Sequence, residues 1–434
     1  MEKTERNPAA LTALAPLIRG LYINTGRYPW VVMQSPPGET EIPSEALVIE
    51  IGPVQTADTG LDTGYAAKIL QDTYTAWEFD RAPAGAEAAG RTEVSKKAPS
   101  CVVVKDADTI QGIYWIDRDF DAVQKRLETR DDSLLTEKIE KIEKVIEKKP
   151  SPVCNAAQRA AVVDHKIALV TGGAQGIGAA IVQSLAVSGA VVFIADRNRE
   201  GAETLANQIN ATEKRTAAIP VEVNVAEEAS VEALFTTVAK TTGGLDICIS
   251  NAGVLRAGSV LEQRLEDFTF VTDINYTGFF LVAKYAGRLF REQHRTAPHW
   301  KTDLIQINSK SGLEGSTRNA AYAGGKFGGI GLVESFALEL VDYNIKVNAI
   351  CPGNFFDGPL WSDPEKGLFV QYLRAGKVPG ARHIADVKAY YEAKVPMKRG
   401  CTGPDVMRAI YYIIEQEYET GQAVPVTGGQ VMLH

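Results

Sequence analysis

Short apolar segments alternate with helix-compatible segments along the chain after about residue 150. Runs of about four to eight apolar residues, separated by stretches of helical length, are typical of parallel strands joined by right-handed helical crossovers. The pattern therefore predicts an α/β fold with a doubly wound parallel sheet of the Rossmann type. The predicted strands are IALV (167–170), VVFIA (191–195), VEVNV (221–225), ICIS (247–250), DLIQIN (303–308), KVNAI (346–350) and AVPVTGG (423–429).

The first 150 residues show a mixed pattern that predicts a smaller α/β domain of unassigned function. The helix predicted at 134–149 has fewer than three heptads, which favours a docked surface helix over a coiled coil. Pro150 and Pro152 end it, so we interpret 151–164 as a linker and 165–434 as a second domain. The other predicted elements are strands at 46–51 and 101–105, helices at 63–81 and 120–129, and a loop rich in Ala, Gly and Pro at 82–100.

Composition and charge exclude several classes of protein. Of the 434 residues, 45% are hydrophobic and 23% are charged, as in ordinary globular proteins. The net charge of -8 argues against nucleic-acid binding, which needs a basic surface. No apolar run approaches the roughly 18 residues of a membrane-spanning helix, and acidic residues precede the first apolar stretch, so we expect neither a membrane anchor nor a signal peptide.

The cysteines and histidines predict a reducing compartment and no metal site. The five cysteines are far apart and form no CxxC pair, so neither a disulfide framework nor a zinc ribbon can be assembled from them. No histidine precedes His165, so the first half alone cannot build a histidine-based metal site. We therefore expect a cytoplasmic protein that acts on a small molecule.

The first predicted strand of the second domain runs into the glycine-rich segment TGGAQGIG (171–178), which a helix-compatible segment follows. Glycine at 172, 176 and 178 lets the backbone turn tightly, approach a pyrophosphate and pack the helix against the strand. The helix N-terminus then offers N–H groups and a partial positive charge to the anion. A glycine pattern alone is weak evidence, but its place between a strand and a helix indicates a dinucleotide site.

Asp196 ends the next predicted strand, 24 residues after Gly172. A carboxylate there can accept hydrogen bonds from the adenosine ribose hydroxyls and repels a 2'-phosphate, which favours NAD over NADP. The neighbouring Arg197 could serve a phosphate and leaves NADP open as the alternative. A second alternative is that Asp196 is a loop or helix-capping acid.

Tyr322 and Lys326 are four residues apart, so on a helix both side chains project from one face. A phenol with a pKa near 10 is a poor base at neutral pH, and lowering that pKa to about 7 requires roughly 4 kcal/mol. An ammonium within about 4 to 6 Å can supply much of this. We therefore predict that Tyr322 is a general acid/base whose pKa Lys326 lowers. A tyrosine and a lysine at this spacing are common in helices, and only the nucleotide loop and Ser309 make the pair functional.

Residues 165–434 resemble the short-chain dehydrogenase/reductase family. The resemblance rests on the glycine segment, Asn251-Ala252-Gly253, Asn275, Ser309, the Tyr322–Lys326 pair and Pro352-Gly353. It implies that Ser309 positions the substrate oxygen, that Asn275 holds a water for proton relay, and that Lys326 also holds the nicotinamide ribose. The cofactor residues that it implies are Gly172, Gln175, Gly176, Ile177, Gly178, Asp196, Arg197, Asn224, Val225, Asn251, Ala252, Gly253, Tyr322, Lys326, Pro352 and Gly353.

Two positions depart from the family pattern. Asn224-Val225 stands where an aspartate and an aliphatic residue are usual, but the amide oxygen of Asn224 can still accept a hydrogen bond from the adenine amino group. Ser250 replaces an asparagine in the commoner NNAG, while Asn251 is retained. We expect an altered adenine affinity rather than a lost one.

Four segments are similar to sorbitol-6-phosphate 2-dehydrogenases within that family: IQINSKSG (305–312), KFGGIGL (326–332), KVPMKRGC (394–401) and TGGQVM (427–432). This resemblance implies the interconversion of D-sorbitol 6-phosphate and D-fructose 6-phosphate with NAD. We predict that Ser309, Lys310 and Tyr322 contact the substrate, with Lys310 placing an ammonium beside the catalytic hydroxyl; a surface lysine is the alternative. Arg399 belongs to a turn that is common in the family and discriminates less.

The segment 355–393 occupies the position of the family's substrate lid. We predict that its aromatic residues, including Trp361 and Tyr372, are lid packing. Arg382 and His383 are possible phosphate contacts.

The helix that carries Tyr322 contains Gly324, Gly325, Gly328, Gly329 and Gly331. Each disfavours a helix by about 1 kcal/mol relative to alanine, so close packing must compensate. Family members use this helix in subunit interfaces, and we therefore predict a homo-oligomer, a tetramer by resemblance.

Three other hypotheses remain open. The enzyme could act on an unphosphorylated polyol or another keto compound. The chain could sense NAD without catalysis, although the joint presence of Ser309, Tyr322 and Lys326 speaks against this. The first 150 residues resemble the layout in which a class II aldolase module precedes a dehydrogenase; because the zinc histidines are missing, we expect a degenerate or structural module without aldolase activity.

Overall fold

The computed structural model describes residues 161–434, except 296, 366, 375–377 and 434, and short pieces of the first 150 residues: 16, 19, 30–34, 46–51, 101–106 and 112–116. The predicted helices at 63–81, 120–129 and 134–149, the loop at 82–100 and most of the linker lie outside the described residues. The proposed domain boundaries therefore stay predictions.

Four strands are described in the first 150 residues. β1 (Trp30–Gln34) pairs with β4 (Gly112–Ile116) in antiparallel orientation, and β2 (Ala46–Ile51) pairs with β3 (Cys101–Asp106) in parallel orientation. The strands predicted at 46–51 and 101–105 are thus confirmed. β1 and β4 were not predicted from the sequence.

Seven parallel strands form the main sheet in the order β11-β10-β9-β8-β5-β6-β7. The chain starts in the middle at β5, builds outward to β7, and returns beside β5 to build the other half. This order confirms the doubly wound Rossmann-type sheet and creates a switch point between β5 and β8, where such sheets bind ligands. The strands are β5 (Ile167–Thr171), β6 (Val191–Asp196), β7 (Ala218–Glu222), β8 (Ile247–Ser250), β9 (Thr302–Ile307), β10 (Ile345–Pro352) and β11 (Ala423–Val426).

Strand β7 begins three residues earlier than the sequence predicted, and it contains Pro220. Proline cannot donate a backbone hydrogen bond and is normally confined to edge strands. β7 pairs with β6 alone among the described strands, so Pro220 sits at the sheet edge. The prediction of 221–225 was wrong at this boundary.

Helices connect the strands and cover the sheet. One face packs against α1, α2 and α10 through buried aliphatic side chains, among them Ile181, Leu205 and Ile410. Burial of each such side chain contributes about 1.5–3 kcal/mol. The helices are α1 (Gly176–Val187), α2 (Arg199–Glu213), α3 (Glu228–Thr242), α4 (Leu265–Thr272), α5 (Gly278–His294), α6 (Ala320–Leu340), α7 (Pro359–Ser362), α8 (Leu368–Arg374), α9 (Ile384–Ala393) and α10 (Gly403–Glu415).

Close packing explains two of the five glycines of α6. A Cβ at Gly328 would lie 2.7 Å from Cε2 of Tyr276, and one at Gly329 would lie 2.5 Å from Nε2 of Gln306. A Cβ at Gly325 would be in ordinary contact with Asn275. At Gly324 and Gly331 it would meet no atom of the described residues within 4 Å. Packing within the chain therefore accounts for only part of the glycine content.

The predicted lid contains helices α7, α8 and α9. The indole of Trp361 packs against Phe369, with ring centroids 5.1 Å apart, and against Tyr372 at 5.8 Å. The prediction that these aromatic residues pack the lid is confirmed. Arg382 and His383 are exposed and directly precede α9. Their backbone N–H groups donate to Oδ2 of Asp386 at 2.7 and 2.9 Å, which caps the start of that helix.

In the part of the chain that the structure describes, no helix combines the length and apolar character needed to span a membrane. The same residues contain no group of three or more His, Cys, Asp and Glu side chains that could hold a metal ion.

Candidate active site

The glycine segment has the backbone conformation that its sequence predicts. Gly172 and Gly176 have φ of 62° and 59°, in the left-handed region that favours glycine. The N–H of Gly172 donates to the carbonyl of Ala195 at 2.7 Å, which ties the start of the loop to β6. A Cβ at Gly178 would overlap the carbonyl oxygen of Gly172. The loop therefore turns tightly between β5 and α1 and packs against the helix it precedes.

Asn251 and Thr171 join this loop to the end of β8. Nδ2 of Asn251 donates to the carbonyl oxygens of Thr171 and Gly172, both at 2.9 Å. Oγ1 of Thr171 accepts from the N–H groups of Asn251 at 3.0 Å and Ala252 at 3.1 Å. These bonds hold the loop at the switch point of the sheet.

The N-terminus of α1 is suited to an anion. Gln175 is the N-cap residue, and no side chain of the described residues caps the helix there. The first N–H groups of a helix lack partners within the helix and carry partial positive charge. A pyrophosphate group could accept hydrogen bonds from them.

Asp196 is half-buried at the end of β6. Its Oδ2 accepts from the N–H of Ala174 at 3.0 Å and its Oδ1 from the N–H of Asn198 at 2.9 Å. A carboxylate has about four acceptor positions, so two remain for ribose hydroxyls. Asp196 is thus both a loop acid and a candidate ribose ligand. Arg197 is exposed beside it and lines the same cavity.

Asn224 holds its own turn together. Its Nδ2 donates to Oε1 of Glu227 at 2.7 Å, and its Oδ1 accepts from the N–H of Ala226 at 3.2 Å. The amide oxygen keeps a second acceptor position, which the adenine contact would need. Val225 is buried and also lines the cavity.

Ser309, Tyr322 and Lys326 lie together at the ends of β9 and α6. The Tyr322 side chain is hydrogen-bonded to that of Ser309. Lys326 is 4% exposed; its Nζ donates to the carbonyl of Ile307 at 2.8 Å and lies 5.6 Å from the centroid of the Tyr322 ring. The structure therefore brings three of the four predicted catalytic side chains into one cluster, and the fourth, Asn275, bonds to Val254.

Burial sets the protonation of this cluster. It raises the pKa of the Tyr322 phenol above its ordinary value, although the hydrogen bond with Ser309 acts in the opposite direction. Burial also lowers the pKa of Lys326 to about 8. The sequence predicted a lowered phenol pKa from the charge of Lys326, but that prediction did not include the loss of water around the Tyr322 ring. In the structure, this desolvation affects the pKa of Tyr322 more than the hydrogen bond with Ser309 does.

Asn308, which was not predicted from the sequence, fixes the geometry of the cluster. Its Nδ2 donates to Oε1 of Gln306 at 2.8 Å and to the carbonyl of Lys326 at 2.9 Å. Its Oδ1 accepts from the N–H of Ser309 at 2.8 Å. The signal was present: Gln306 and Asn308 are polar residues within a predicted strand whose neighbours are buried, and buried polar groups need partners.

Asn275 lies on a single π-helical turn, Asp273–Thr277, between α4 and α5. Such turns are frequent at functional sites. The residue is 3% exposed; its Oδ1 accepts from the N–H of Val254 at 2.8 Å and its Nδ2 donates to the Val254 carbonyl at 2.9 Å. Its side chain thus positions the segment after Gly253, and the predicted water relay stays a prediction.

One cavity of about 890 Å³ connects the glycine loop with the Ser309–Tyr322 pair. This volume is in the upper part of the range of ligand sites, and the wall fits a dinucleotide with a small substrate. Lys326 and Asn275 are buried and are not among the wall residues. Predicted residues that line the wall are Gly172, Gln175, Gly176, Ile177, Gly178, Asp196, Arg197, Asn224, Val225, Asn251, Ala252, Gly253, Ser309, Lys310, Tyr322, Pro352 and Gly353.

Two cationic wall residues were not predicted. Lys394 follows the last residue of α9, and Arg318 belongs to the loop before α6. Lys394 is part of a segment that the sequence singled out, but it received no role there, because only the fold brings it to the cavity.

This fold and this site define an oxidoreductase of the short-chain dehydrogenase/reductase family that acts on CH–OH groups, and the chain belongs to that family. Residues 166–361 match the family described as short chain dehydrogenase. The sorbitol-6-phosphate 2-dehydrogenase of Escherichia coli strain K12 is 35% identical over 271 residues, which are 62% of this chain and 99% of that enzyme.

Solved structures show the same relationship. The sorbitol-6-phosphate 2-dehydrogenase from Erwinia amylovora is 37% identical, with a TM-score of 0.56, over 61% of this chain and 100% of that one. An NAD+-bound xylitol dehydrogenase is 28% identical, with a TM-score of 0.55, over 62% of this chain and 99% of its own. Members of this family use NAD or NADP.

Proposed function

We propose that this chain is an NAD-dependent dehydrogenase that interconverts D-sorbitol 6-phosphate and D-fructose 6-phosphate. The observation that carries the proposal is the Ser309–Tyr322–Lys326 cluster at the end of a cavity that begins at an anion-binding glycine loop. Similarity to two sorbitol-6-phosphate 2-dehydrogenases supports the choice of substrate.

The chain's own groups fit a dinucleotide. The α1 N-terminus and the glycine loop would hold the pyrophosphate, Asp196 the adenosine ribose, and Asn224 with Val225 the adenine. A nicotinamide held there would supply the hydride acceptor for oxidation of the polyol at C2 and the hydride donor for reduction of the ketose. Because Asp196 would repel a 2'-phosphate, we propose NAD rather than NADP as the cofactor.

Tyr322 would accept the proton of the C2 hydroxyl during oxidation and return it during reduction. Ser309 donates or accepts a hydrogen bond at the same oxygen and thereby orients the substrate. Lys326 places an ammonium behind the phenol, where it stabilises the phenolate that forms when the proton has been given up. Asn308 holds Ser309 and the Lys326 backbone in this arrangement.

A panel of polyols and polyol phosphates, followed by NADH absorbance, tests this function. We expect the highest kcat/KM with sorbitol 6-phosphate, and we expect Tyr322→Phe to lose turnover while it still binds NADH. Turnover that Tyr322→Phe leaves unchanged would remove the proposed base. A shortened chain that starts near residue 155, compared with the full chain, shows whether the first 150 residues contribute.

The similarity to a xylitol dehydrogenase favours a second candidate, an enzyme of unphosphorylated polyols. The two candidates predict different values for one measured quantity, the ratio of kcat/KM for sorbitol 6-phosphate to kcat/KM for sorbitol. A ratio near one selects the second candidate.

We also propose that residues 1–150 form a separate domain, that 151–164 link it to the dehydrogenase, and that the protein is a cytoplasmic homo-oligomer, a tetramer by family resemblance. The exposed side chains of Phe280, Phe327 and Leu338 on α5 and α6 support an interface there. Sedimentation at micromolar concentration tests the oligomer, and a monomer would refute it.

A further inference from the structure

The two ends of the cavity wall differ in charge. Asp196, near the glycine loop, is the single carboxylate among the described wall residues, and the cationic Arg197 stands beside it. Lys310 directly follows Ser309, so it belongs to the other end, where Arg318 and Lys394 also contribute to the wall. That end therefore favours an anionic group on the substrate.

Lys310 is held close to the reacting atoms. It opens the 3-10 turn Lys310–Gly312, for which Ser309 is the N-cap residue and accepts the N–H of Ser311 at 3.1 Å. The side chain is half-buried. Burial lowers the pKa of Lys310, Glu314 raises it, and the positive charge of Lys394 lowers it further. Both lysines line the wall of the same cavity.

Lys394, the residue that follows α9, lines the same cavity as Lys310. Its Nζ lies 4.3 Å from the centroid of the Tyr390 ring and 5.5 Å from that of Tyr391, and Tyr391 is itself a wall residue. An ammonium over an aromatic face is oriented by the ring quadrupole without being neutralised. Among the described residues, neither Lys310 nor Lys394 forms an ion pair with a carboxylate.

We propose that Lys310 and Lys394 together form the subsite for the phosphate group of a phosphorylated polyol, an inference that rests on the proposed function. Two neighbouring ammonium groups repel each other, and a phosphate monoester carries about -1.5 to -2 charges and three acceptor oxygens. One phosphate group can pair with the ammonium groups of both lysines, whereas a neutral hydroxyl compensates neither positive charge. The phosphate at C6 lies at the far end of the sugar from the reacting C2, so its subsite must lie beside the Ser309–Tyr322 pair and not at it.

Arg382 and His383, the phosphate contacts considered from the sequence, do not share this role. Both residues are exposed at the start of α9, and neither is among the wall residues. Lys394 stands just after the last residue of the same helix, Ala393, and lines the cavity. The lid thus contributes its cation from the end of the helix opposite to the predicted one.

The test compares kcat/KM for sorbitol 6-phosphate and for sorbitol in the full-length chain with Lys310→Gln, Lys394→Gln and the double variant. The matched control is Lys388→Gln, which removes the same charge from an exposed lysine of α9 that pairs with Asp357 and Glu392 and does not line the cavity. We expect each subsite variant to lower the ratio of the two kcat/KM values on the order of tenfold to a hundredfold. We expect the control to leave that ratio unchanged.

A wild-type preference for the phosphate ester that survives in both lysine variants would overturn the subsite and leave the proposed function standing. A wild-type enzyme that prefers a different phosphorylated polyol, and loses that preference in the variants, would support the subsite and correct the proposed substrate. A wild-type enzyme with no preference for a phosphate ester would overturn both. Circular dichroism of each variant shows that the fold is retained.

Discussion

Nζ of Lys326 donates to the carbonyl oxygen of Ile307 at 2.8 Å, which ties the second turn of α6 to the end of β9. This bond orients the ammonium toward the face of Tyr322, 5.6 Å from the ring centroid. It also keeps the lysine away from water, and burial lowers the pKa of Lys326 to about 8 from 10.5. The ammonium of Lys326 therefore faces the phenol of Tyr322, while burial makes its positive charge unfavourable in the folded chain.

The first prediction concerns stability at alkaline pH. Between about pH 8 and 10.5 the lysine keeps its proton in the unfolded chain and loses it in the folded one, so its contribution to the free energy of unfolding rises with pH in this window. Lys326→Met removes the titrating group. We expect urea unfolding to show that the wild type gains stability relative to the variant by up to about 1.4 kcal/mol per pH unit. Parallel pH profiles would contradict the lowered pKa.

The second prediction concerns Asn308, a positioning residue. Asn308→Ala removes its bonds to Gln306 and the Lys326 carbonyl and leaves the Ser309 N–H without its acceptor. Because Ser309 then loses its fixed orientation, we expect kcat to fall on the order of tenfold or more, with a smaller change in the KM for NAD. The loss of stability should be about 1–3 kcal/mol.

Asn210 provides a matched control for this variant. Its side chain also makes three hydrogen bonds, to the N–H groups of Ala217 and Ala218 and to the Ala218 carbonyl, outside the cavity wall. Asn210→Ala should lower stability by a similar amount and leave kcat as in the wild type. Equal kcat values for the two variants would show that Asn308 is only structural.

The third prediction concerns the choice of cofactor. Asp196→Ser removes the charge that opposes a 2'-phosphate and leaves Arg197 free to meet it. We expect the ratio of kcat/KM with NAD to that with NADP to fall on the order of tenfold or more. The ratio is the correct readout because Asp196 also accepts from the Ala174 and Asn198 N–H groups, so affinity for both cofactors should decline.

Addition of Arg197→Gln to Asp196→Ser supplies the control. If Arg197 meets the phosphate, the double variant loses the gain toward NADP. A wild-type preference for NADP would show that the interpretation of Asp196 is wrong.

The parts of this fold that the sequence predicted are those that local periodicity and backbone chemistry determine. β5, β6 and β8 are short apolar runs, and Gly172 and Gly176 have the positive φ that a tight turn requires. β7 was misplaced because Pro220 is acceptable only at a sheet edge, and edge position is a property of the whole sheet.

The parts of the site that the sequence did not predict depend on contacts between distant segments. Lys394 is 84 residues from Lys310 in sequence, and only the fold brings it to the cavity. The sequence around Asn275 did not predict the π-helical turn. The direction of the Tyr322 pKa could not be inferred from spacing either, because desolvation depends on everything that packs around the ring.

The fourth prediction concerns a buried ion pair on the sheet. Nζ of Lys346 on β10 lies 2.9 Å from Oδ1 of Asp303 on β9, and both side chains are less than a tenth exposed. The lysine also donates to the carbonyls of Ile413 at 2.6 Å and Gln416 at 2.9 Å, so it ties the end of α10 to the sheet. Burial raises the pKa of Asp303, and the charge of Lys346 opposes this rise.

Removal of one partner takes away the opposite charge nearest to the other, which stays buried. We therefore expect Asp303→Asn and Lys346→Met each to lower the free energy of unfolding by about 3–5 kcal/mol, measured by urea unfolding of the full chain. Because the Lys346→Met variant leaves Asp303 buried without its nearest cation, the double variant Asp303→Asn with Lys346→Met should be less destabilised than the sum of the two single changes. Additive losses would mean that the two side chains are not coupled and that Lys346 acts through the α10 carbonyls alone.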